Sequence, residues 1–249
     1  MNEPGIRTPG RLWLSLPVRF TSLSLLIALV LFSVGTEGQT LALAGIQQSV
    51  FSSYDYLGVI QPLSGSRLGS GVYLQAFASY LRYRYTGSLD NSSTLVRARV
   101  PGFLVGAGYA FAVDKLQLNF SGGLEYQYFS LTPALPSGGP YRSTVSFVPQ
   151  IQFHLPLPGQ TYLSGIASYV IDQHAYWARL RFALPLFHSI FVGPEFVPSG
   201  GNTYRIRQYG GFLDIALPEG WAISADGGLQ HQNGLPNVGY AALSVSKVF

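Results

Sequence analysis

The chain has 249 residues, of which 47% are hydrophobic, 14% aromatic and 10% charged, whereas an average soluble domain carries about 25% charged residues. This shortage of charge and the absence of Cys exclude a disordered chain, a disulfide framework and a cysteine nucleophile. The net charge of +4 is spread thinly along the chain, and no basic run predicts binding to nucleic acid.

The first predicted element is a secretory signal peptide covering residues 1–38. Arg7, Arg11 and Arg19 precede an apolar run at residues 23–34, and small and polar residues follow it. This order of a positive segment, a short apolar core and a small-residue cleavage region is typical of an export signal. The run is shorter than the about 20 residues that a membrane-spanning helix needs. An uncleaved N-terminal anchor is the alternative, and residues 39–249 are expected to form the exported domain.

After residue 39, apolar and polar residues alternate in one segment after another. In residues 115–129 the even positions are almost all apolar, and the odd positions carry mostly Gln, Asn and Ser. The pattern recurs in residues 73–85, 144–155 and 176–186. Segments of this kind predict tilted strands that cross a membrane in about 9 to 11 residues. A soluble periplasmic β protein is the alternative, although its polar faces would normally carry more Lys and Glu.

Tyrosines near the ends of these segments are expected to form the aromatic girdles at the membrane interfaces. The residues concerned are Tyr83, Tyr85, Tyr126 and Tyr128. The girdle tyrosines share the parity of the apolar residues in their segments, so the apolar face is expected to meet lipid.

Twelve strands are predicted, at residues 41–50, 54–61, 71–86, 95–112, 115–130, 143–155, 160–171, 174–186, 189–197, 203–217, 221–231 and 238–249. The first is inferred from parity, because single-chain bacterial barrels have an even number of strands. It requires a turn at Ser52 and Ser53 and signal cleavage at Gly35 or Gly38. Ten strands are the alternative. The fold class is therefore an all-β, antiparallel up-and-down barrel in the outer membrane, with both termini in the periplasm and longer external loops at 86–94 and 131–142.

Arginine recurs in four Arg-x-Arg pairs, at residues 82/84, 97/99, 179/181 and 205/207. Residues two apart on a strand share a face. In two pairs that face is opposite the apolar one, so a lumen basic strip is predicted from Arg82, Arg84, Arg179 and Arg181. Its expected acidic partners in the lumen are Glu125, Glu195, Asp214 and Asp226. The alternative role for the strip is contact with an anionic or polyhydroxy ligand.

The other two pairs lie near predicted strand ends. Arg205 and Arg207 share parity with Leu213 and Ile215, which are expected to face lipid. Arg on the lipid face near the midplane would cost about 2 to 4 kcal/mol. Either a bulge or an extension of the strand beyond the bilayer is therefore required.

Catalytic signals are few. Asp172 and His174 lie two residues apart at a predicted external turn, and they resemble the Asp-His pair of omptin proteases. An outer-membrane hydrolase, either an omptin-like protease or a lipase, is therefore one alternative function, and a generic porin or adhesin is another. His188 and His231 show no ligand spacing, so neither a metal site nor a cofactor is expected.

Five short segments, in this order, resemble the BcsS family of cellulose biosynthesis proteins. They are YDYLG at 54–58, LRYRY at 81–85, GAGYAF at 106–111, GPEF at 193–196 and GNTYRIRQYGGF at 201–212. The chain also ends in Phe249 after alternating apolar residues, which resembles the insertion signal of outer-membrane barrels, although Lys247 departs from it. The resemblance implies a non-enzymatic accessory in export, surface display or assembly of the polysaccharide. Outer-membrane lipid, cellulose or another glucan, and components of the cellulose synthase complex are the partners implied.

Overall fold

The computed structural model describes residues 39–89, 92–135, 139–202 and 204–249, and these residues form a closed barrel of twelve antiparallel strands. The predicted signal peptide, residues 1–38, lies outside the described residues. The strands are β1 Leu41–Ser49, β2 Ser52–Pro62, β3 Gly71–Leu89, β4 Ser92–Val113, β5 Leu116–Leu135, β6 Gly139–Pro156, β7 Tyr162–Val170, β8 Ala175–Phe187, β9 Ile190–Gly200, β10 Arg205–Ala216, β11 Trp221–Gln232 and β12 Val238–Val248.

Each strand pairs with its neighbours in the chain, and β1 closes the barrel by pairing with β12. Leu41 lies opposite Val248, and Ser49 lies opposite Tyr240. Closure leaves no edge strand whose backbone would be unpaired in hydrocarbon. The prediction of twelve strands, including the first strand inferred from parity, is confirmed. The turn after β1 is at residues 50–51, because Ser52 and Ser53, which were expected to form it, already pair in β2.

The outer surface of the barrel carries large apolar side chains. Phe103, Leu124 and Val145 are 51%, 56% and 62% exposed. These side chains alternate with residues that point into the lumen, as the pleat of a strand requires. No helix in the described ranges is long and apolar enough to span a membrane.

Strands β3 to β6 are 18 to 22 residues long, whereas β7 to β12 have 9 to 13 residues. A tilted strand crosses the bilayer in about 9 to 11 residues. The β2–β3 pairing ends at Ser52 opposite Tyr83, so the remainder of β3 projects beyond β2 at the end of the barrel away from the termini. Most of the predicted external loops 86–94 and 131–142 is therefore strand, because these two hairpins keep pairing outside the bilayer.

Strands β8 and β9 approach each other closely at Gly193, so a substitution at this residue tests the packing of the barrel wall. A Cβ atom at Gly193 would overlap the carbonyl oxygen of Phe182 on β8, whereas a Cβ at Gly239 of β12 would lie 3.9 Å from its nearest neighbour. We expect Gly193→Ala to lower the free energy of unfolding by about 1 to 3 kcal/mol. Urea titration of the detergent-folded barrel, read by its heat-modifiable gel mobility, measures this change. Gly239→Ala is the matched control, and equal midpoints for the two variants would contradict the predicted overlap.

Candidate functional site

The barrel interior contains an ionic cluster built around Arg181 of β8. We call Arg181, Glu195, Asp214 and Asp226 the Arg181 cluster. Arg181 Nε lies 2.6 Å from Glu195 Oε2, Nη1 lies 3.4 Å from Asp214 Oδ1, and Nη2 pairs with Asp226 Oδ1. The four residues come from the consecutive strands β8 to β11. Strand register explains the first pair, because Arg181 and Glu195 lie directly opposite each other.

Hydroxyl groups extend this cluster to β7 and β12. Tyr162 OH donates to Asp214 Oδ2 at 3.1 Å, and Tyr240 OH donates to Glu195 Oε1 at 3.4 Å. Arg181 Nη1 also donates to Ser224 Oγ at 3.4 Å. The resulting network joins six consecutive strands, β7 to β12, across the inside of the wall.

The inner wall is shaped to hold these groups. A Cβ atom at Gly210 would overlap the hydroxyl of Tyr240, so the glycine leaves the space that this hydroxyl occupies. The guanidinium of Arg181 stacks 4.6 Å from the ring centre of Phe212. Arg181 and Glu195 are 8% and 5% exposed. The network therefore ties the wall together as a packed, charge-assisted unit.

Carboxylates outnumber guanidinium groups in the Arg181 cluster, three to one. Arg179 lies on the same face of β8, with its guanidinium 5.7 Å from the ring centre of Trp177. Residues two apart on a strand point to the same side, so Arg179 also faces the lumen. The structure thus places both arginines of this predicted pair inside and brings one of them together with three of the four predicted acids.

Glu125, the fourth predicted acid, does not join the cluster. It lies on the inner face of β5, and within the described ranges it forms no ion pair with an arginine. Sequence parity placed it correctly inside the barrel, but the barrel wall separates β5 from β8 by two strands.

Arg82 and Arg84 lie on the outer surface, and their predicted place in the lumen strip is therefore wrong. Arg82 lies opposite Arg99, and Arg84 lies opposite Arg97. Directly opposed residues share a face. On β4 that face is the outer one. Arg97 and Arg99 alternate with Val96, Ala98 and Val100, which point inward and are at most 2% exposed. The long β3–β4 hairpin carries these arginines past the hydrocarbon core of the bilayer, so they do not incur the cost of a guanidinium group in the middle of the lipid face.

Aromatic residues of β2 and β3 line the lumen instead of facing lipid. A Cβ at Gly58 would overlap the ring of Phe77, and a Cβ at Gly108 would overlap the ring of Tyr73. These rings lie inside, against neighbouring strands. Because Tyr83 and Tyr85 share their parity, the expectation that these two tyrosines belong to a lipid girdle is wrong. The other two predicted girdle tyrosines do lie on the outer side. Tyr126 is 47% exposed, and Tyr128 shares its parity.

The lumen contains open space beside these side chains. A cavity of about 670 Å³ opens near the periplasmic turns, and it is lined by polar groups such as His154, Thr161 and Ser244 together with the rings of Tyr162 and Phe191. A second space of about 250 Å³ lies beside Arg179. Asn119 lines it, and Asn119 Oδ1 is buried without a hydrogen-bond partner in the structure.

The structure does not bring Asp172 and His174 together as a catalytic pair. Both lie in the turn between β7 and β8. His174 Nδ1 is 3.1 Å from the hydroxyl of Tyr169, so a tyrosine holds the imidazole nitrogen that a carboxylate would orient. The described residues contain no group of three or more His, Asp or Glu side chains that could hold a metal ion.

The remaining Arg-x-Arg pair, Arg205 and Arg207, faces outward with Leu213 and Ile215. The register of β10 with β9 and with β11 is continuous from end to end. No bulge reverses the faces, so the outer end of β10, with both arginines, extends past the hydrocarbon core of the bilayer, and extension of the strand was one of the two predicted solutions. Sequence reasoning missed Tyr162, Tyr240 and Ser224 as partners of the Arg181 cluster. Their parity places each of them on the inner face, but only register shows which acids they meet.

The model of the cellulose biosynthesis protein BcsS family matches residues 41–249, which include all twelve strands. The chain belongs to the BcsS family. The resemblance seen in its motifs is thereby confirmed, and the protein is a β-barrel related to cellulose biosynthesis. No curated protein matches this BcsS-family chain.

Solved structures similar to this BcsS-family barrel are outer-membrane proteins. The KdgM porin has a TM-score of 0.54 at 10% identity, over 84% of this chain and 99% of that chain. KdgM in complex with disordered oligogalacturonate has a TM-score of 0.53 at 9% identity, with the same coverage. The transport unit of the autotransporter AIDA-I from Escherichia coli has a TM-score of 0.51 at 9% identity, over 92% of this chain and 97% of that chain. The fold places the protein in the outer membrane, as predicted.

Removing the cation of the Arg181 cluster is expected to destabilise the barrel. Arg181→Met would leave three carboxylates inside the lumen without their partner, and breaking a buried ion pair in this way costs about 3 to 5 kcal/mol. Arg179→Met is the matched control on the same face, where loss of an aromatic contact costs about 0.5 to 1 kcal/mol. Urea midpoints of the detergent-folded proteins measure both changes. Adding Glu195→Gln and Asp226→Asn to Arg181→Met should restore part of the loss, and a control as unstable as Arg181→Met would refute the assignment.

Proposed function

We propose that the protein is a non-enzymatic accessory of bacterial cellulose production that acts in the export, surface display or assembly of the polymer. The observation that carries this proposal is the family match over all twelve strands. An outer-membrane barrel stands in the last membrane that an exported polymer has to cross. Its partners would be cellulose or another glucan and components of the cellulose synthase complex.

The chemistry of the lumen supports contact with a glucan. A glucose unit presents hydroxyl groups at its edges and C–H groups on its faces, so it suits a site with polar side chains and flat aromatic rings. Tyr54 and Tyr56 stack in the lumen with ring centres 5.6 Å apart. Tyr54 is 39% exposed although it faces inward, so its ring is open to the lumen.

Another part of the lumen, on β5 and β6, supplies polar groups. Gln117, Asn119 and Gln152 line the space beside Arg179, and amides and guanidinium groups are donors for sugar hydroxyls. KdgM, which shares the barrel fold, has been solved in complex with oligogalacturonate, so the fold is compatible with a bound saccharide. In our proposal the lumen holds the glucan by stacking and hydrogen bonding, with no chemical step.

Deleting the gene in its own cellulose-producing host tests the proposed role. We expect less cell-associated cellulose or altered fibres, because the barrel would no longer guide the polymer at the surface. Acid-insoluble glucan and electron microscopy of the fibres measure these effects, and the gene carrying His174→Ala should restore them fully. An unchanged yield and morphology on deletion would contradict the cellulose role. Failure of His174→Ala to restore them would favour the hydrolase alternative.

Replacing lumen tyrosines tests glucan contact directly. Each of Tyr54→Ala and Tyr56→Ala removes a ring from the inner face, and Tyr109→Ala removes one from the outer face, where Tyr109 is 53% exposed. We expect each inner substitution to weaken binding of cellohexaose about 2- to 10-fold, the equivalent of about 0.5 to 1.5 kcal/mol per ring. Calorimetry on the detergent-extracted barrel measures this affinity. Equal affinity in all variants would contradict a role of the rings in glucan contact.

A further inference from the structure

Four arginines meet on the outer face of the long β3–β4 hairpin. Arg82 lies opposite Arg99, and Arg84 lies opposite Arg97. Directly opposed residues on antiparallel strands have Cβ atoms about 4.5 to 5.5 Å apart, so the register gathers four guanidinium groups into one patch. We call these four residues the outer arginine array. Three of them are exposed, and Arg84 is half-buried.

The charge of the outer arginine array is largely uncompensated. Arg82 Nη2 lies 3.7 Å from Asp55 Oδ2, and Arg82 Nε donates to Ser53 Oγ at 2.7 Å. Among the acids in the described part of the chain, Asp55 alone lies within ion-pair distance of the array. Like charges placed directly opposite each other destabilise a sheet. An arrangement of four cations and one acid is therefore suited to an anion that comes from outside the protein.

The array begins where the apolar band of the barrel ends. Between residues 101 and 111 every outward position of β4 carries an apolar or aromatic side chain. Eleven residues of tilted strand rise about 26 Å along the barrel axis, close to the about 25 Å of an outer-membrane apolar band. Toward the outer end of β4, the next two outward positions are Arg99 and Arg97. On the neighbouring strand β3, Tyr80 lies opposite Pro101 at the edge of the band, and Arg82 is the next outward residue. The array thus lies at the level of the lipid headgroups.

The orientation of the barrel assigns this level to one leaflet. With an even number of strands both termini lie on the same side, which in bacterial barrels is the periplasm. The array lies at the opposite end, so it faces the headgroups of the outer leaflet. Arg205 and Arg207 repeat this placement on β10. They lie beyond Tyr209 toward the outer end of the strand, and the ring of Tyr209 stacks with its centre 5.0 Å from that of Phe196.

We propose that the outer arginine array binds the phosphate groups of a phosphorylated lipid in the outer leaflet. Guanidinium groups offer forked donors that match phosphate oxygens in pairs. The lipid is favoured over a free anion because its acyl chains would continue down the apolar surface formed by Phe103 and Val105, directly below the array. Binding there would set the depth of the barrel in the membrane.

Native mass spectrometry of the barrel extracted from outer membranes in detergent tests this site. The probes are diphosphoryl lipid A and the same lipid after enzymatic removal of both phosphates. We expect the wild-type barrel to bind the phosphorylated probe at least about tenfold more tightly. Combined Arg82→Gln, Arg84→Gln, Arg97→Gln and Arg99→Gln should remove this preference. Arg67→Gln is the matched control. It makes the same substitution at an exposed residue near the opposite end of the barrel, and it should leave the preference intact.

Three results would overturn the proposal. They are equal binding of the two probes, retention of the preference in the fourfold variant, and displacement of the lipid by an equal concentration of inorganic pyrophosphate, which would show a site for a free anion. Heat-modifiable gel mobility shows whether each variant is folded. Should the fourfold variant fail to fold, the pair Arg97→Gln and Arg99→Gln keeps the contacts of Arg82 with Asp55 and Ser53. This double variant should keep only part of the preference for the phosphorylated probe. Full retention of the preference would also contradict the proposed site.

Discussion

Closure of the sheet into a barrel determines where every side chain of this protein can point. Within hydrocarbon there is no water to satisfy an unpaired backbone N–H or C=O group, so β1 has to pair with β12. Once the sheet is closed, each side chain points either toward lipid or into the lumen. Residues far apart in the chain then meet inside, as do Arg181 and Asp226, which are separated by 45 positions. The interior chemistry of the protein is a consequence of this closure.

The interior has two sides with different chemistry. The wall from β7 to β12 is bound together by the Arg181 cluster and by the hydroxyls of Tyr162 and Tyr240. The wall formed by β2 and β3 carries stacked tyrosines that remain open to the lumen. The first side joins six strands through ionic and hydrogen-bond contacts, and in our proposal the second side contacts the glucan.

Arginine serves two purposes in this barrel, and its surroundings determine which. Arg181 is enclosed by three carboxylates and an aromatic ring, so its charge is satisfied within the protein. The outer arginine array has one acid for four cations and lies at a lipid interface. Both placements avoid the cost of a guanidinium in the middle of the lipid face, which is about 2 to 4 kcal/mol. The same Arg-x-Arg spacing therefore carries no single meaning in a membrane barrel.

The sequence alone determined the class of structure, the number of strands and the membrane in which they stand, because period-two alternation and even strand parity are properties of the chain itself. It also placed Arg181 and its acids inside, since the opposite face of each strand is clearly apolar. For β3 it failed, because both faces are largely apolar: Tyr73 and Phe77 alternate with Val72 and Leu74. The tertiary structure decided that case, since the strand register sets Phe77 against Gly58, where only a glycine leaves room for the ring. Which arginine meets which acid was likewise decided by register and closure, because contacts between strands depend on their alignment in space and leave no trace in the local pattern of either strand.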